Sequence, residues 1–169
     1  MKITLTDENG KSIQLNIADE EYSKLFSAVK KTGYERVNSD EEFYLPANDG
    51  TIISYHDNSH DIDNELYNVA NYYSDKTVAK NNTKADRLMR QLRRFAVEHR
   101  KKELDWESDR SNKFKIGFNH DKEDMYIDNN LSMQIYGAIY FDTKETAQLA
   151  IDTFKHELLW YFTEYKDSL

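Results

Sequence analysis

His56 and His60 stand four residues apart, with Asp57, Asp61 and Asp63 alongside. Imidazoles and carboxylates at that spacing supply a zinc site when a helix brings both rings to one side. The run 56–65, HDNSHDIDNE, is polar and without periodicity, so it reads as a loop. It also lacks the glycine that a calcium loop needs at its sharp turn. No metal and no cofactor is expected. His99, His120 and His156 are scattered, and there is no cysteine, no G-x-S-x-G, no phosphate-cradling glycine loop and no H-E-x-x-H. The carboxylates are too many to single out an acid–base pair. The chain is expected not to be an enzyme.

Three groups of residues carry binding chemistry instead. Lys76, Lys80, Arg87, Arg90, Arg94 and Lys101 fall on one side of a helix read at 3.6 residues per turn. Such a stripe, roughly 38 Å long at about 1.5 Å per residue, suits a phosphate backbone. Its plainer reading is a solvated face or one docked against acidic segments. No aromatic ring on that face is available to stack on bases. Asp105, Glu107 and Asp109 alternate around Trp106. A surface of that kind imitates the phosphates of nucleic acid and fits a basic channel on an enzyme; its plainer role is solubility. Leu149, His156 and Trp160 lie on the far side of the last helix from its core stripe. A tryptophan there is either an interface anchor or is covered by residues 66–73 or 103–110.

The elements that must position these groups follow from periodicity and turn chemistry. Alternation over 2–6 and 12–17 around Asn9-Gly10 predicts a β-hairpin, with Ile3, Leu5, Ile13, Leu15 and Ile17 facing inward. Asp19 predicts the start of a short helix that Gly33 ends. Residues 34–37 and 42–45 are strand candidates, and Asn48-Asp49-Gly50 joins 42–45 to a returning strand at 51–55. Residues 67–73 fit strand or helix. Ser74 or Asp75 caps a long helix whose inward face carries Val78, Ala85, Leu88, Met89, Leu92, Phe95 and Ala96. Strands are expected at 113–118, 125–128 and 135–141. Asp142 or Thr143 then caps a final helix with Ala147, Ile151, Phe154, Leu158, Tyr161, Phe162 and Tyr165 on one face. The fold class is α+β: an N-terminal hairpin–helix–hairpin portion (1–73), a central basic amphipathic helix (74–102), an acidic connector (103–112) and a C-terminal antiparallel β-β-β-α unit (113–169).

Charge follows the same division. Residues 1–73 hold 6 Lys/Arg and 14 Asp/Glu, 74–102 hold 10 and 3, and 103–169 hold 7 and 14, for a net −8. A basic block lies between two acidic arms. The 169 residues suffice to bury a core, and 12 Tyr, 8 Phe and 2 Trp argue against disorder. No stretch resembles a signal peptide or a membrane span, so a soluble cytoplasmic protein is expected.

Four stretches carry a resemblance: KKTGYERV (30–37), ANYYSDK (70–76), ADRLMRQLRRFAVEHR (85–100) and GAIYFDTKETAQLAIDTFKHELLWYFTEYKDSL (137–169). They resemble small accessory proteins, of no established activity, encoded by phages and integrative elements of low-GC Gram-positive bacteria. The resemblance implies a mobile-element gene acting on host machinery or host defence, CRISPR effector nucleases included. The expected function is a non-enzymatic inhibitor that binds a host nucleic-acid-handling protein through Asp105, Trp106, Glu107, Asp109, Leu149, His156 and Trp160. The alternative is a nucleic-acid-binding accessory protein that uses the basic stripe.

Overall fold

The computed structural model describes residues 2–6, 8, 10–16, 31–108 and 110–165. In chain order these form β1 (Lys2–Thr6), β2 (Ser12–Asn16), β3 (Glu42–Pro46), β4 (Ile52–His56), α1 (Asp61–Asn68), α2 (Lys76–Glu98), β5 (Lys113–Asn119), β6 (Asp124–Asn130), α3 (Lys144–Thr153) and α4 (Lys155–Thr163). The fold is α+β. Its strands pair as three antiparallel hairpins, β1–β2, β3–β4 and β5–β6. Leu5 pairs with Ile13 across the first, and Ile13, expected inward, is exposed. The helix expected from Asp19 lies outside the described residues over 19–30.

Helix α2 organises the rest. Asp75 starts it by accepting hydrogen bonds from the Thr77 and Val78 N–H groups at 2.7 and 2.9 Å. Ala85, Leu88, Leu92, Phe95 and Ala96 are buried, as their spacing requires. Leu88, Leu92, Phe95 and Ala96 cluster with Phe141, Ala147, Ala150 and Leu158 in the C-terminal core. Ala79 and Thr83 are also buried, though they lie off that stripe; the first turns pack against β3 and β4. The helix therefore turns one face to the N-terminal half and a different face to the C-terminal half. Gly33 docks at its start: the Gly33 carbonyl accepts from the Ser74 N–H at 2.8 Å, and a Cβ on Gly33 would stand 2.6 Å from Val78 Cγ2. With φ at +90° as well, this position requires glycine.

Three expectations change. Residues 61–68 form helix α1, which begins inside the 56–65 stretch expected as a loop and runs into 67–73, expected as strand or helix. The Asp63 carboxylate accepts the Asn58 and His60 N–H groups at 3.0 and 3.1 Å, which nucleates the turn without an apolar stripe. Residues 34–37 run as irregular chain, with Arg36 engaged by a distant carboxylate. The third strand of the C-terminal unit shrinks to one bridge, Phe114 to Phe141, with N–H···O distances of 2.9 and 2.7 Å. Gly137, at φ +77°, ends any extended run before it pairs. The last helix is stepped into α3 and α4 at Phe154, whose ring meets Phe95 edge-on at 5.5 Å.

Of the two cap candidates for the last helix, Thr143 is the one that caps. Thr143 caps α3 by accepting from the Thr146 N–H at 3.1 Å. Asp142, buried, instead accepts the Lys101 and Lys102 N–H groups at 2.6 and 2.9 Å and so ties the start of α3 to the chain leaving α2.

The N-terminal half holds a second polar strut. Buried Asp57 accepts from Arg36 Nε at 2.9 Å and Nη2 at 3.1 Å, from the Tyr72 hydroxyl at 2.8 Å and from the Ser59 N–H at 2.8 Å. The Tyr72 ring stacks on Phe43 at 4.1 Å. Arg36 above all holds the Asp57 carboxyl down at about 2, while burial, reinforced by the Asp57 bond, raises the Tyr72 hydroxyl to about 12. A depressed carboxyl stabilises the fold above its unfolded value of about 4 and stops doing so as pH falls through the folded value. A raised phenol stabilises below its unfolded value of about 10 and loses that contribution as pH climbs beyond it. Thermal melts should therefore lose stability from about pH 4 down toward 2 and again above about pH 10. Asp57→Asn should make the acid limb shallower without abolishing it, because Glu35, held down at about 2 by the Thr32 N–H and hydroxyl, shares that limb; an unchanged acid limb in that variant would remove Asp57 as a contributor.

Candidate interaction surfaces

A buried lysine links the acidic connector to a neighbouring loop. Lys113 opens β5 and is fully buried, yet no carboxylate pairs with it among the described residues. Its ammonium donates to the Ser108 carbonyl at 3.0 Å and the Leu131 carbonyl at 2.6 Å, and stands 5.2 Å from the Trp106 ring centre. Carbonyl dipoles and an aromatic face replace its water. Trp106 in turn packs edge-on to Tyr140, with ring centres 4.8 Å apart. The Tyr140 hydroxyl accepts from the Ile135 N–H at 2.8 Å and donates to the Met133 carbonyl at 3.4 Å. Connector and loop are thus fastened to the same two buried side chains.

Their backbones being held from below, the loop's side chains are presented outward. Leu131, Met133, Ile135 and Tyr136 are all exposed, Met133 by 68% and Tyr136 completely. Large apolar side chains so concentrated mark an interaction surface. Asp105 and Glu107, either side of Trp106, are exposed as expected. Asp105 also accepts the Glu107 and Ser108 N–H groups at 3.0 and 3.2 Å, which shapes the connector. Asp109 lies outside the described residues. The apolar loop is the part that the sequence reading missed. Its signal is present as four large apolar residues within 131–136, but Ile135 and Tyr136 read as the start of the strand expected at 135–141, and Leu131 and Met133 belong to no expected element.

The remaining members of the expected partner surface are on α3 and α4. Trp160 is half-buried, with the Lys84 ammonium 3.6 Å above its ring. Leu149 and His156 are exposed. Trp160 meets α2 at Lys84, whereas Trp106 packs on Tyr140, two residues before the Asp142 that binds the chain just beyond α2. Lys84 and the helix end at Glu98 are separated by about 21 Å at 1.5 Å per residue. Trp160 also packs on Tyr165, with ring centres 5.5 Å apart, and Tyr165 lines a groove shared with Tyr136 of the apolar loop.

The basic stripe is open. Lys76, Lys80, Arg87, Arg90, Arg94 and Lys101 are all exposed, while the β3–β4 hairpin of the acidic N-terminal portion stands beside them, with Tyr44 near Lys76 and Asp49 across from Lys80, Arg87 and Arg90. Among the described residues the one ion pair along the stripe is Arg94 with Glu98, at 3.7 Å on the same helix face. The histidine–aspartate group does not assemble: Asp57 faces Arg36, Asp63 caps α1, and no cluster of three or more metal-ligating side chains occurs among the described residues. His99 stacks on Phe95, with ring centres 3.9 Å apart, and His120 meets Phe118. No helix among the described residues is long and apolar enough to cross a membrane. Comparison with protein-family models, with curated proteins and with solved structures finds no match.

The anchoring of the loop is testable. Tyr140→Phe removes the hydroxyl that holds Ile135 and Met133, at a cost of about 1 kcal/mol. Hydrogen exchange should quicken at the Ile135 amide and stay unchanged at Leu88 and Leu92. An Ile135 amide that keeps its protection would show that Tyr140 does not hold the loop.

Proposed function

We propose that this protein acts by binding another protein, as a non-enzymatic, mobile-element-encoded inhibitor of a host nucleic-acid-handling protein. One observation carries the reading: the exposed Met133, Ile135 and Tyr136 on a loop anchored by the same buried Lys113 and Tyr140 that hold the acidic connector. An apolar anchor beside carboxylates combines desolvation at the contact with steering toward a positive partner. Proteins that handle nucleic acid present such positive channels. Anchoring the loop in advance lowers the ordering cost of association. The resemblance to accessory proteins of phages and integrative elements supports the setting, and makes a CRISPR effector nuclease the first target to try.

The test is inhibition and affinity together. Binding to a purified effector nuclease of a low-GC Gram-positive host is measured for the wild type, for Tyr136→Ala and for Asp105→Lys/Glu107→Lys. Tyr136→Ala should weaken binding by about 2 kcal/mol or more with an unchanged melting temperature. The charge reversal should mainly slow association and reduce its salt dependence. If a target is inhibited and neither variant differs from wild type, the proposed surface is wrong. If no nucleic-acid-handling protein of the host is bound at all, the function is wrong.

A further inference from the structure

The open stripe on α2 forms one wall of a groove that the protein-binding reading does not use. Lys80, Lys84, Arg87 and Arg90 face the turn between β3 and β4, where Asn48, Asp49 and Gly50 form the other wall. The groove encloses about 340 Å³. The turn is held by the Gly50 N–H on the Ala47 carbonyl at 2.9 Å and the Ala47 N–H on the Thr51 carbonyl at 2.8 Å. Asn48 is exposed and Gly50 has open space above it, so the tip can meet a neighbouring molecule closely. We propose that this groove binds the sugar-phosphate backbone of double-stranded nucleic acid, with the cations of α2 on one strand and the 48–50 tip against it. This inference is independent of the protein-binding surface.

Three features favour the duplex over a single strand. The cations sit on one capped, 23-residue helix, so their spacing is fixed. Lys76 to Arg94 covers about 27 Å at 1.5 Å per residue, most of one turn of duplex, whose pitch is about 34 Å. Single-strand binders need free aromatic faces for stacking. The two rings beside the stripe are already occupied: Lys76 stands 5.7 Å from the Tyr44 ring centre and Lys84 stands 3.6 Å from that of Trp160. Asp49 is the one carboxylate in the wall, and Oδ1 is turned onto the Thr51 N–H and hydroxyl at 2.9 and 2.7 Å. Those bonds hold its carboxyl below the usual range, so it stays charged and opposes a phosphate.

The experiment measures affinity by fluorescence anisotropy for a 24-base-pair DNA duplex, the matching RNA duplex and a 24-nucleotide single strand, over a series of salt concentrations. Wild type should bind at least one duplex about fivefold or more tighter than the single strand, with affinity falling steeply as salt rises. Arg87→Gln/Arg90→Gln should weaken duplex binding and reduce the log–log salt slope by about 2, one per lost phosphate contact. Asp49→Asn, which keeps an oxygen for Thr51, should tighten it. Melting temperatures and effector binding should stay unchanged in both variants. Equal affinity for single strand and duplex would overturn the duplex assignment. No binding at low salt, or binding indifferent to Arg87→Gln/Arg90→Gln, would overturn the site. Neither outcome touches the role of Met133, Ile135 and Tyr136.

Discussion

Helix α2 is buried along two different faces, and the rest of the molecule is arranged by that constraint. Its first turns set Ala79 and Thr83 against the β3–β4 hairpin. Its later turns set Leu88, Leu92, Phe95 and Ala96 into the C-terminal core. One rod thereby couples both halves, and the cations flank the face that receives the hairpin: Thr83 lies among Lys80, Arg87 and Arg90 beside the 48–50 turn. The cation side chains stay exposed because the residues that touch the hairpin from that side, Ala79 and Thr83, are short and lie between them. Both ends of the rod are fixed by carboxylates, Asp75 at the start and Asp142 just past the end.

The charged residues divide into struts and surface, and composition alone does not separate them. Asp57 holds Arg36 and Tyr72, Asp63 nucleates α1, Asp142 receives the chain leaving α2, and Lys113 joins the connector to the loop. Lys115 and Asp128 pair across β5 and β6 at 2.5 Å. The acidic arms therefore expose less negative charge than their sequence suggests. Asp105 and Glu107 stay exposed beside an apolar loop, and the α2 cations stay exposed beside a polar turn. Two surfaces of opposite chemistry result, one suited to a basic protein and one to phosphate.

Long-period patterns were legible in the sequence because they report on burial directly. The α2 stripe from Ala85 to Ala96, the Asp75 cap, the hairpin around Asn48-Asp49-Gly50 and the face holding Ile151 and Leu158 all follow from local chemistry. What the sequence left hidden depends on partners far along the chain. Helix α1 has no apolar stripe, so periodicity was silent about it, and its nucleation comes from one carboxylate folding back. Residues 135–141 look like a strand until Gly137 and the Tyr140 hydroxyl are considered together. The burial of Ala79 and Thr83 was hidden because neither residue is strongly apolar. The positions of Trp106 and Trp160 depended on Lys113, Tyr140 and Lys84, and no spacing rule connects those residues.

The central functional claim is that the anchored loop and connector make the contact with a protein partner. Hydrogen exchange on the complex with the inhibited target tests it most directly. The account predicts new protection over 131–136 and 104–108, with β3–β4 unchanged. Protection confined to α2 and the 48–50 turn, with the loop exchanging as in the free protein, would contradict it.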